Sequence, residues 1–158
     1  MPANAPSPGF TLVELMVTVA VLAILSTLAA PMFGDLIQRN KVDAASGELT
    51  HLLQYARSEA ITRASAVTVS ASGGNWVGAV SVATSSETLR SYGSEGLNGG
   101  SAVSATGSAN SLTFRAAGTL SGAAQTIRLC PGSGSSSGRL LSISSSGQIT
   151  STNTECSS

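Results

Sequence analysis

The sequence predicts an α+β chain in which one long N-terminal helix packs on a C-terminal antiparallel β-rich head. Three observations predict it. The run from Phe10 to Ala30 is apolar, with Glu14 as its only ionisable side chain. Leu49, Leu52, Leu53, Ala56, Ala60 and Ile61 recur at three- and four-residue steps, the spacing of a helix that buries one face. After Ser65 the composition turns to Gly, Ser, Thr and Ala, and short β-type runs replace helical spacing.

Residues 10–30 form the first part of the helix. Their Leu, Val, Ile, Ala and Met content suits a helix, and at 1.5 Å per residue the run reaches roughly 31 Å, about one hydrocarbon core. It is expected to cross a membrane once. Thr18, Ser26 and Thr27 can bond back to their own helix carbonyls. A carboxylate near the bilayer centre costs roughly 2.5–3.5 kcal/mol, so Glu14 demands a partner. A general secretory signal would need a basic start and a small-residue cleavage site. Met1 to Gly9 holds no Lys or Arg, and the small pair Ala29-Ala30 is followed by Pro31, so a retained anchor is the better reading.

Pro31 removes a helix hydrogen bond and is expected to kink the axis. Residues 31–65 continue as an amphipathic helix ending near 62–65, and Gly47 costs it about 1 kcal/mol relative to alanine. The head, residues 66–158, is expected to place strands at Ala66–Ser70, Trp76–Val82, Leu112–Arg115, Thr126–Cys130, Leu140–Ser144 and Gln148–Thr150. Ser72-Gly73-Gly74-Asn75 reads as a hairpin turn, and 85–110 as a long loop with at most one strand, near Leu89–Tyr92. Trp76, Tyr55 and Phe114 are expected in the core.

Composition narrows the chemistry. Eight basic and eight acidic residues balance to a net charge of +0, with one histidine and two cysteines in 158 residues. His51 lies within the amphipathic helix, and no nucleophile has a positioned base. The glycines of Gly99-Gly100 and Gly132-Ser133-Gly134 lack the strand-and-helix context of a phosphate loop. The cysteines have neither CxxC spacing nor a neighbouring histidine. The expectation is a non-enzyme with no cofactor and no metal.

The string GFTLVELMVTVAVLAILSTLAAP, Gly9 to Pro31, resembles the class III signal of type IV pilins and pseudopilins. That resemblance implies cleavage between Gly9 and Phe10 by a prepilin peptidase and N-methylation of Phe10. It also implies pairing of Glu14 with the N-terminal amine of a neighbouring subunit, and a helix bend at Pro31. Opposite buried charges remove each other's desolvation penalty, so such a pair acts as a register lock. QYARSEAITR, Gln54 to Arg63, resembles the segment closing the long helix in the GspH/FimT group, and LTFRAAG, Leu112 to Gly118, its strand-then-glycine pattern.

What the resemblance implies is a type IV pilin-like fold with a leader (1–9), transmembrane helix (10–30), amphipathic continuation (31–65) and head (66–158). The chain would be an inner-membrane, single-pass protein with its head in the periplasm, then in the pilus or pseudopilus. On an exported head, Cys130 and Cys156 read as one disulfide. Its loop of roughly 27 residues contributes about 3.5 kcal/mol in the chain-entropy model. The implied function is a minor pilin that primes or caps a type IV pilus. The implied partners are the prepilin peptidase and other minor pilins or pseudopilins, met through helix packing. Two alternatives share the scaffold: an H-type pseudopilin of a type II secretion system, and a DNA-binding minor pilin. DNA is the disfavoured partner. Relatives that bind it resemble this chain at Gly147-Gln148-Ile149-Thr150, where both their arginines are absent. The head's Arg90, Arg115, Arg128 and Arg139 are offset by Glu87, Glu95 and Glu155.

Overall fold

A computed structural model describes residues 9–93, 96–97, 102–132 and 137–156, with the side chains of 27–33 excepted. The expected leader before Gly9, Glu95, Gly99-Gly100 and Ser133-Gly134 lie outside the described residues. The chain divides into two compact units, Met1–Gly34 and Asp35–Ser158, and helix α1, Leu12–Thr62, contributes to both.

In the first unit α1 starts two residues after Phe10 and presents apolar side chains around its whole circumference. Its backbone stays helical through Pro31. Among the described residues no helix is long and apolar enough to cross a membrane. The expected span includes residues 27–30, whose side chains lie outside that description.

In the second unit α1 buries Val42, Ala45, Leu49, Leu52, Leu53, Ala56 and Ala60, the stripe that the three- and four-residue spacing predicts. The helix packs on two four-stranded antiparallel sheets. The first has the order β3-β2-β1-β5, made of β1 (Val67–Ala71), β2 (Val80–Ala83), β3 (Thr88–Tyr92) and β5 (Ser111–Phe114). The second runs β4-β6-β7-β8, made of β4 (Val103–Gly107), β6 (Gln125–Pro131), β7 (Ser137–Ile143) and β8 (Ile149–Glu155). Val67, Val69, Val80, Val82, Leu112 and Phe114 point inward from the first sheet, and Val103, Ala105, Ile127, Leu129, Leu141 and Ile143 from the second, into one core. The period-2 alternation of burial along β1 and β6 is the signature of strands with one wet face.

The helix stops at Thr62 by a left-handed cap. Ala64 has φ 48°, Ser65 donates its N–H to Ala60 O at 3.2 Å, and Arg63 donates to Glu59 O at 2.9 Å.

Four expectations need correction. Trp76 does not begin a strand: Gly78 donates to Asn75 O at 3.1 Å, which turns the chain, and Trp76 donates its N–H to Ala105 O at 3.0 Å. The segment thus leaves the first sheet to cap β4 of the second. Ser72–Gly74 is accordingly a 3-10 turn inside a longer connection, closed by Ser72 N–H to Ala79 O at 2.8 Å, rather than a tight hairpin. Among its described residues the 85–110 segment holds two strands, β3 and β4, because Val103 and Ala105 are small inward residues that need the β6 ladder to be ordered. Finally β8 runs to Glu155, five residues beyond the expected end, held by β7 pairing rather than by apolar content. Trp76 and Phe114 are fully buried, whereas Tyr55 is half-buried beneath the Arg90 guanidinium, 4.6 Å from its ring centroid.

Candidate assembly site

At the N-terminal junction, Phe10 is 87% exposed and the apolar side chains that follow stay open, Leu12 at 73% and Met16 at 65%. Thr11 and Glu14 form a reciprocal cap. Thr11 donates its backbone N–H to Glu14 Oε2 at 3.0 Å and its hydroxyl to the same oxygen at 3.1 Å, while Glu14 donates its N–H to Thr11 Oγ1 at 3.2 Å. Two otherwise orphaned donors of the first turn are satisfied this way. The carboxylate is thereby fixed in the first turn of α1, which starts just after Phe10. Thr11 is absent from the sequence-derived site residues, although the T-x-x-E spacing carries the capping-box signal. Thr18 and Ser26 donate to Leu15 O at 2.8 Å and Leu22 O at 2.7 Å, so neither polar side chain is left unpaired in an apolar setting.

In the head, Cys130 and Cys156 are joined, with Cα atoms 5.9 Å apart. The bond passes over Gly138 of β7. A Cβ there would collide with Cys156 Sγ and Leu129 O, so the crossing needs glycine. Beside it Arg139 Nε donates to Asp43 Oδ1 at 2.7 Å, tying β7 to α1. That hydrogen bond holds the Arg139 guanidinium above its ordinary value. At the distal end of α1, hydrogen bonding to Glu59 first and to Glu87 after it does the same for Arg63.

The motifs quoted from the sequence converge on one residue. Arg57, from QYARSEAITR, donates Nε–H to Gly118 O at 2.9 Å and Nη2 to Ser146 O at 3.4 Å. It clasps the loop after LTFR and the β7–β8 turn to the helix. Gly147 sits in that turn at φ 79°, too close to Gly118 O for any Cβ. No sequence signal singled out Arg57, because its acceptors are backbone carbonyls 61 and 89 residues away. His51 is exposed on the helix, and among the described residues no group of three or more His, Cys, Asp or Glu could hold a metal.

Residues 45–147 match the family described as Type II transport protein GspH, and residues 7–30 match the Prokaryotic N-terminal methylation motif. The chain belongs to the GspH family of pilin-like proteins. A GspH-family chain is a pilin-type structural subunit, and its N-terminal motif implies processing by a prepilin peptidase. Among solved structures, the type IV minor pilin FimU of Pseudomonas aeruginosa strain PAO1 is similar in two crystal forms. One has TM-score 0.61 and 30% identity and covers 70% of this chain and 87% of the solved chain; the other has TM-score 0.59 and 30% identity and covers 70% and 91%. Two curated relatives are similar over a shorter stretch. The Type IV major alpha-pilin of Moraxella bovis is 44% identical over 41 residues, and a Fimbrial protein of Pseudomonas aeruginosa 42% identical over 50. The chain spans 26% and 32% of those relatives' lengths.

Proposed function

We propose that this chain is a minor pilin that helps prime or cap a type IV pilus. The observation that carries it is the match of 70% of this chain to 87% of a solved chain of the minor pilin FimU, at 30% identity. The mature chain begins at N-methylated Phe10 after cleavage behind Gly9. Residues 10–30 anchor it in the inner membrane, Pro31 bends the helix beyond that span, and the head lies in the periplasm before assembly. Exposed Leu, Val, Ile and Met side chains around the whole first turns of α1 support this. Each would gain roughly 1.5–3 kcal/mol on burial, so the segment belongs in lipid or against neighbouring helices. Glu14, held in place by Thr11, offers its carboxylate to the amine of the adjacent subunit. The family match itself, described by type II transport, favours an H-type pseudopilin as the second reading.

Co-purification from membranes separates the two readings. The minor pilin reading expects other pilus subunits; recovery with type II secretion components alone would sink it. A DNA-receptor role has less support. Gly147–Thr150 forms the β7–β8 turn and the start of β8 without an arginine, and Arg139 and Arg90 are engaged by Asp43 and Tyr55. No retardation of duplex DNA by the purified chain at low salt is expected.

A further inference from the structure

A sheet edge is a row of unpaired backbone groups, and folds blunt their edges by covering, charging, shortening or bulging them. Among the described residues, three of the four sheet edges are blunted. Beside β4, Asn75 bridges Thr106 and Trp76 donates to Ala105 O. Beside β5, Leu120 bridges Phe114 and Ser121 donates to Thr113 O at 2.7 Å. β3 has five residues, carries Arg90 and shifts register against β2 between Val82 and Ala83. β8 is different. Its seven residues, Ile-Thr-Ser-Thr-Asn-Thr-Glu, contain no Lys, Arg or Pro, and they pair with β7 in unbroken register from Ser137↔Glu155 to Ile143↔Ile149.

The direction of the free groups follows from the turn. Ser144 donates its N–H to Gln148 O at 2.9 Å, so the ladder bonds alternate to the pairs Ser142–Thr150 and Leu140–Thr152. The N–H and C=O of Ser151 and Asn153 then face away from β7. Both residues are exposed. The disulfide at Cys156 fixes the end of the strand, so little ordering entropy is lost when a partner binds.

We propose that the open edge of β8 receives an extended segment from the head of a different pilin-like chain, as a fifth strand of the second sheet. The proposal rests on the pilin-subunit reading. Subunits anchored in parallel meet through unlike surfaces, because a self-complementary contact closes a dimer and ends the array. Among the described residues a second copy of this chain has only β8 itself unblunted. The occupant is therefore another chain with a free extended segment, its side chains small or hydroxyl-bearing to match Thr150, Thr152 and Thr154.

The test uses the full chain in piliated cells with a photo-crosslinking residue at Thr152. An adduct with a different pilin-like subunit is expected. Asn153→Pro removes an outward N–H and spares the β7 ladder, so it should lower the adduct about tenfold, the loss of one backbone pair. Asn153→Ala should not. An adduct with a second copy, no adduct from a chain that is present in filaments, or an adduct indifferent to Asn153→Pro overturns the proposal and leaves the subunit reading intact. Absence of the chain from every filament and pilin complex overturns both. Should Asn153→Pro fail to fold, amide exchange in the wild-type chain decides. Ser151 and Asn153 should exchange slowly in the assembled state and fast in the free one, and fast exchange in both refutes the edge contact.

Discussion

Replacing Cys130 and Cys156 together by alanine should destabilise the head more than any single surface change. The pair is separated by 26 positions; a closed loop of about 27 residues restricts the unfolded chain by about 3.5 kcal/mol in the entropy model. Of the residues of β8 only Ile149 packs against the core; the rest rely on backbone bonds to β7, on the Thr150 and Thr152 hydroxyls donated to Ser142 O and Leu140 O at 3.5 Å, and on Ser151 Oγ, 3.4 Å from Ser46 Oγ of α1. For a unit of the size of Asp35–Ser158 that loss corresponds to a fall in melting midpoint of about 10–15 °C. Trp76, the sole tryptophan and fully buried, reports unfolding by fluorescence, so urea titration of the detergent-solubilised chain gives the difference directly. A loss below about 1 kcal/mol would refute the reasoning and show that the β7 ladder alone secures the tail.

Four further outcomes are expected. Gly138→Val should leave free thiols at Cys130 and Cys156, detectable by alkylation and peptide mapping, because its side chain occupies the path of the disulfide. Arg57→Ala should cost about 1–2 kcal/mol in urea unfolding by freeing the Gly118 and Ser146 carbonyls. Leu53→Ala, at a site with 0% exposure, should cost about 2–5 kcal/mol by the same measurement. Ala64→Gly should stabilise by about 0.5–1 kcal/mol, since φ 48° strains an alanine and suits a glycine.

The parts of the fold legible in the sequence are those decided locally. The apolar stripe of α1 follows from spacing alone, and its end at Thr62 lies inside the expected range. β1, β5, β6 and β7 each carry inward apolar residues that alternate with polar ones. β4 and β8 do not. Val103 and Ala105 are too small to mark a strand among serines and glycines, and β8 is polar at nearly every position; β4 is ordered by β6, distant in sequence, and β8 by its hairpin partner β7. Trp76 reads as a strand residue because it is aromatic and β-branched Val77 and Val80 follow it, yet its N–H is drawn to the other sheet. At the candidate site, Glu14 stands out as a lone charge. Thr11 is legible through its T-x-x-E spacing to Glu14, whereas Arg57 stays hidden because it acts on backbone carbonyls distant in sequence, which no residue pattern displays.

The most direct measurement is mass spectrometry of purified pili from cells expressing the chain. The account predicts a peptide that begins at N-methylated Phe10, present with the native Glu14 and lost from pili, though still processed and membrane-inserted, with Glu14→Val. A chain that keeps its Met1 terminus in cells with active peptidase, or a Glu14→Val chain that enters pili as well as the native one, would contradict it.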